Sequence, residues 1–199
     1  MNILVYSIVL LLKASGNISD WGRAAELLKA FLKEENLPSY LRFDALYALL
    51  EIHLKELHLS ATEESLAKVR KQMIRLEVEA EEQQLPWMLA NVYRLQSQLA
   101  LIELDAQKAI ELLEKAQSIA EEIDVELLKK EIREDQEKIE KQLGMWNKLQ
   151  EQKAPINETL KHVSLEKIAK SIKQITVLEE RDEETGKIIE YRKLFALKI

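Results

Sequence analysis

The sequence predicts an all-α protein: a right-handed solenoid of helix hairpins with about three helix pairs and a capping helix, followed by a small C-terminal helix and β-hairpin. Three observations carry the prediction. Leu, Glu, Lys and Ala dominate the 199 residues while only four Gly and three Pro occur, the composition of long helices joined by short turns. Helical periodicity breaks at 15–19, around Pro38, at 57–62, at Pro86, at Leu104-Asp105 and at 124–125, and each break separates two helix-length segments. Three of those segments also repeat one another.

The chain opens with the apolar run Ile3 to Leu12. It is too short to span a bilayer, which takes about 20 residues, and it lacks the preceding Lys or Arg and the A-x-A-like site of a secretory peptide. A buried first helix is expected instead. Pro38 and Pro86 stand near helix starts, where the missing N–H costs nothing. Ser60 or Thr62, followed by Glu residues, and Asp105 read as N-terminal caps.

The internal repetition lies in "RAAELLKAFLKEENLP", "AKVRKQMIRLEVEAEEQQLP" and "QKAIELLEKAQSIAEEIDV". Each places a small or branched residue, a large one four later and another three later. These are Ala24-Leu28-Phe31, Val69-Met73-Leu76 and Ala109-Leu113-Ala116, at intervals of 45 (24 to 69) and 40 (69 to 109) residues. Units of this size cannot bury their apolar faces alone and so stack.

This A-x3-L-x2-A spacing resembles the second helix of tetratricopeptide repeats. The period of about 40, longer than the usual 34, looks like the drifting repeats in the helical domains of MalT-like regulators. The resemblance covers roughly residues 1 to 125. It departs from the pattern at Tyr93, Ser97 and Ala100, where the repeat usually has Trp and Gly-Tyr, and in the last pair, where the Pro ending the second helix is missing.

From 126 to 152 the apolar residues thin to Leu128, Ile132, Ile139, Leu143, Trp146 and Leu149, a narrow stripe on one side of a long helix. A terminal capping helix with a polar outer face fits it. A coiled-coil seam is the competing reading, but Asp135 and Gln142 interrupt that seam. After Pro155 comes a short helix, 164 to 175. The runs Thr176 to Arg181 and Lys187 to Phe195 then flank Gly186 and read as a β-hairpin. The domain division expected is a helical repeat domain over 1–153 and an appendage over 154–199.

The chemistry of catalysis is missing from the pattern. With no cysteine there is no disulfide, thiol nucleophile or Cys-ligated zinc, which suits a cytoplasmic protein. His53 and His58 are five apart and diverge by about 140° on a helix of ~3.6 residues per turn, so no metal site is expected. No phosphate loop can be built from the four separate glycines. The charge of −6, from 35 acidic and 29 basic residues well mixed, argues against nucleic acid. Most acids sit with Lys at i+4, such as Glu111 with Lys115, and read as solvated helix support. Trp21, Trp87 and Trp146 read as helix staples rather than stacking platforms.

The sharper signal is on the first helix of each pair, the element that lines the concave groove of tetratricopeptide-like arrays. Asp44, Tyr47 and Glu51, continued by Lys55, and then Asn91, Arg94 and Gln98 form polar stripes at helical spacing. The competing reading is an ordinary solvated face. The resemblance places Asn91, Arg94 and Gln98 where such repeats present ligand-contacting residues, and their side chains suit peptide backbone or carboxylates. The expected function is non-enzymatic protein binding of a peptide or helix in this groove, with no cofactor, nucleic acid or membrane. The alternative is a ligand-sensing or oligomerising module of a MalT-like regulator. A chain that opens directly on an apolar helix is expected to self-associate through that end or to belong to a longer array.

Overall fold

In a computed structural model of the chain, residues 8–9, 11–12, 15, 17–34, 37–165, 167–169, 176–181 and 188–194 are described. Six long helices follow one another: α1 (Ile18–Phe31), α2 (Ser39–Ser60), α3 (Glu63–Glu82), α4 (Pro86–Ile102), α5 (Ala106–Glu122) and α6 (Glu126–Glu151). A short α7 (Ile156–Thr159) runs into a 3-10 turn, Leu160–His162. Of the expected helix over 3–12, Ile8, Val9, Leu11 and Leu12 are helical and Val9 is buried in the core. The remainder lies outside the described residues.

Local chemistry sets the boundaries. Asn17 accepts the Ser19 N–H at 3.0 Å to open α1. Thr62 and Ser65 form a reciprocal capping box, each side chain accepting the other's backbone N–H at 3.2 Å. Pro86 takes the first position of α4, and Asp105 accepts the Lys108 N–H at 3.0 Å. Such caps satisfy donors that the helix itself cannot.

The helix ends share one device. Ala61, Gln84, Leu104, Asp124 and Lys153 all have left-handed backbone, with φ between 46° and 62°. After four of them the chain closes alike, the N–H of Leu85, Asp105, Val125 and Ala154 returning to the carbonyl of Ala80, Ala100, Ala120 and Leu149. These are Schellman closures, which usually take glycine at the left-handed position. Here each is made without one, at a cost of about 1–2 kcal/mol per position.

Consecutive helices pack antiparallel. Arg70 meets Glu103 while Glu77 meets Gln96 across α3 and α4, and Gln72 reaches the Leu46 carbonyl while Lys68 meets Glu56 across α2 and α3. Helix α6 also touches α4, the next helix but one. All nine residues of the repeated signature are at most 3% exposed. The alanines of α5 let it lie close against α4 and α6, since bulk there would clash. In α6, Leu128, Ile132, Ile139 and Trp146 are buried, while Leu143 stands at the edge of the stripe at 38% exposure.

One core cluster spans α1 to α4 and a second spans α4 to α6. The division expected between 153 and 154 falls in the turn after α6, and beyond it Leu160, Leu165, Ile168 and Ala169 join the first cluster. Among the described residues no helix is long and apolar enough to cross a membrane.

The expected fold class needs a correction. The folded body is all-helical, and the β-hairpin expected at its C-terminal end is not part of it. Two extended segments, β1 (Thr176–Arg181) and β2 (Ile188–Leu194), pair antiparallel with each other alone, with an irregularity between Glu180 and Arg181. The turn expected at Gly186, the tail beyond Leu194 and the end of the expected 164–175 helix lie outside the described residues. The physical reason is general: an isolated pair of strands is marginal in water, and a sheet layer takes a third strand or a helix face. A Val-, Ile- and Tyr-rich run at strand spacing shows local preference only.

Candidate functional site

The site is the face formed by α2 and α4, with α6 along one edge. Pro155 lacks the N–H needed to continue a helix, so the chain leaves α6, turns through Lys153 and runs back through residues 156–165 and 167–169. Thr159, fully buried, donates to the Ile102 carbonyl at 3.2 Å, anchoring the segment at the end of α4. The Ser164 N–H donates to Gln98 Oε1 at 3.2 Å. Further on, the Tyr47 hydroxyl donates to the Ala169 carbonyl. The face therefore holds a segment of chain through that segment's own backbone.

Beside Gln98, Arg94 is the electrostatic centre. Its Nε donates to Asp135 Oδ2 at 2.9 Å, and its Nη1 donates to Glu131 Oε2 and, at 3.1 Å, to Asn91 Oδ1. Asn91 in turn donates to the Trp87 carbonyl at 2.9 Å. Burial raises the Asp135 carboxyl above its ordinary range, and the Arg94 guanidinium works against that rise. Tyr47 stacks on Phe43 with ring centroids 6.3 Å apart. Its phenol is pushed far upward, by burial first and then by the charge of Glu51, so it remains a neutral donor.

Two small cavities flank the segment, each of about 210 Å3. One lies against α2 at Leu54, Leu57 and His58; the other lies between Arg94, Glu134, Asp135 and Lys138. At the far end of α6 the ring of His162 meets Trp146 edge-on at 5.9 Å. Among the described residues no group of three or more His, Asp or Glu side chains is placed to hold a metal ion.

The six residues singled out from the sequence share this face but not one environment. Tyr47, Asn91, Arg94 and Gln98 are each at most 4% exposed, Glu51 is partly exposed and Asp44 is exposed. The reading of both stripes as open polar faces is thus corrected for four of the six, because Ser164, Ala169 and α6 meet them. Tyr47 and Gln98 are brought to one segment, and Asn91 and Arg94 to each other. The carboxylates that pair with Arg94 are Glu131 and Asp135, supplied by α6.

Sequence reasoning missed Glu131, Asp135, Thr159 and Ser164. For Asp135 a signal existed, since it interrupts the apolar stripe of α6, and a carboxylate carried into a buried stripe needs a cation across from it. Thr159 and Ser164 left no signal, as their partners are set by where the chain returns. No protein-family model, curated protein or solved structure matches the chain.

Proposed function

We propose that the protein is a non-enzymatic interaction scaffold that holds a peptide or short helix of a protein partner on the face of α2 and α4. The observation that carries this reading is the pair of main-chain bonds in which Gln98 accepts from the Ser164 N–H and Tyr47 donates to the Ala169 carbonyl. Main-chain recognition transfers between segments of different sequence, because every residue but proline offers the same N–H and C=O. In this reading the chain's own segment occupies the face in the absence of a partner, and a partner binds by displacing it. Tyr47 and Gln98 contact the guest. Asn91 and Arg94 hold the wall in place, while Asp44 and Glu51 form the rim that meets partner side chains. The tetratricopeptide-like spacing of the buried signature supports the same reading, and the absence of cysteine goes with a cytoplasmic setting.

The test is fluorescence anisotropy with a labelled peptide of residues 154–169. It is titrated into the parent chain and into a release variant, Leu165→Asp with Ile168→Asp, whose buried side chains can no longer hold the segment down. The release variant should bind the peptide more tightly than the parent. Adding Tyr47→Phe and Gln98→Ala should weaken binding about tenfold, since each lost bond is worth ~0.5–1.5 kcal/mol. A release variant with intact helical circular dichroism that binds no peptide overturns the proposal.

A further inference from the structure

A cleft of about 390 Å3 opens on the other side of α2, between α1 and α3. That volume falls within the range of small-molecule sites, ~300–1,000 Å3. Its walls are basic. On α3, Lys68, Lys71 and Arg75 stand at i, i+3 and i+7, one side of a helix, and Lys29 faces the cleft from α1. Its two acids are already engaged, Glu26 with Lys29 at 2.8 Å and Glu56 with Lys68 at 3.5 Å. Among the described residues no carboxylate pairs with Lys71 or Arg75. Lys68 is also paired with Glu64, from outside the lining, at 3.3 Å, so the cations left without a carboxylate among the described residues are Lys71 and Arg75, on a chain whose net charge is −6.

The floor is built differently from the walls. Leu49 is apolar, and at Gly22 an added Cβ would meet nothing within 4 Å. His53 lines the same floor at 8% exposure, with its buried Nδ1 lacking any hydrogen-bond partner. Buried polar atoms are almost always satisfied, and one that is not calls for an explanation. Neither feature helps folding: gathered cations repel, and an unpartnered imidazole nitrogen costs free energy.

We infer that this cleft binds a small phosphate-bearing anion, with Lys71 and Arg75 taking the phosphate, His53 beneath it, and the space over Leu49 and Gly22 holding the ligand's organic body. The Arg75 fork suits phosphate oxygens in pairs, and Lys71 supplies a mobile point charge. Burial lowers the pKa of His53, and an anion drawn close would favour its protonated form. The inference is independent of the reading given to the α2–α4 face, because Leu49, His53 and Glu56 lie on the opposite side of α2 from Tyr47 and Glu51.

The test is an amide NMR titration of the full chain with inorganic pyrophosphate at constant ionic strength, with sodium chloride as the control. Saturable shifts centred on α1, α2 and α3 are expected. Lys71→Ala with Arg75→Ala should weaken the affinity at least tenfold, while Lys130→Ala with Lys141→Ala on α6 should leave it unchanged. Lys71 and Arg75 are both exposed, so the double variant should fold. If it loses its helical signal, Arg75→Gln alone is read by the same criterion. Shifts that do not saturate, that chloride reproduces, or that persist with parental affinity in the cleft variant overturn the inference.

Discussion

Replacing Arg94 with Met would strip the α4–α6 contact of its cation while nearly keeping the side chain's length. Glu131 and Asp135 would then face each other as like charges, and the Asn91 carbonyl oxygen would lose its donor. Removing one partner of a buried ion pair costs ~3–5 kcal/mol, much of it for the stranded charge. The side chains of Glu131 and Asp135 keep 28% and 20% of their exposure, so water can reach them. This places the loss at the lower end, about 3 kcal/mol, a large part of the ~5–15 kcal/mol that holds a typical protein folded. Urea unfolding at pH 7, followed at 222 nm, should show a midpoint lower by at least ~1 M.

The pH dependence gives a second reading of the same change. Burial already raises the folded-state pKa of Asp135, and without Arg94 it rises further. A carboxyl whose folded pKa lies above its unfolded value favours the folded state below the unfolded pKa, and that advantage is lost as pH rises through the folded value. The deficit of Arg94→Met should therefore be largest near pH 7 and shrink toward pH 4. Adding Asp135→Leu removes the stranded charge and should recover much of the loss. An Arg94→Met midpoint equal to the parent's at pH 7 would mean that the cluster is solvated rather than structural.

Ala109→Leu and Ala116→Leu overfill fully buried positions between α4, α5 and α6; each should lower stability by ~1–3 kcal/mol in urea, and unchanged midpoints would place these alanines off the contact. His53 has its pKa lowered by burial first, with Glu56 opposing and Lys29, Lys68 and Arg75 adding to the fall. Its neutral form therefore stabilises the fold above the ordinary value of 6.5, and this contribution is lost as pH falls below 6.5 toward the depressed folded value. Melting curves at pH 7.5 and 5 should show a larger drop for the parent than for His53→Gln, and equal drops would count against it. Lys153 is exposed and left-handed at φ 49°; Lys153→Gly should stabilise by about 1 kcal/mol, or about 2–4 °C in melting temperature for a chain of this size.

Much of the helical body was legible because its causes are local. The predicted breaks coincide with the ends of α1 to α6, and Thr62 and Asp105 cap where their side chains can reach the next turn. The turns were less legible. Glycine marks a left-handed residue in a sequence, and Gln84, Leu104, Asp124 and Lys153 adopt that conformation without it. The hairpin failed as a domain element for the opposite reason: strand propensity is a local preference, whereas a sheet layer requires a surface to lie on.

Legible from residue order alone were the helices, their succession and the apolar residues each turns inward, since 3.6-residue periodicity, capping and side-chain volume act within a turn or between adjacent helices. Residue order also placed Tyr47, Asn91, Arg94 and Gln98 on one kind of face. That this face is covered, that Asp135 reaches Arg94 across 41 residues of chain, and that Gln98 reaches Ser164 across 66 follow from the three-dimensional path of the chain. These contacts depend on where the chain returns after Pro155. The periodicity of a helix specifies which side is apolar and carries no information about which distant segment will lie on its polar side.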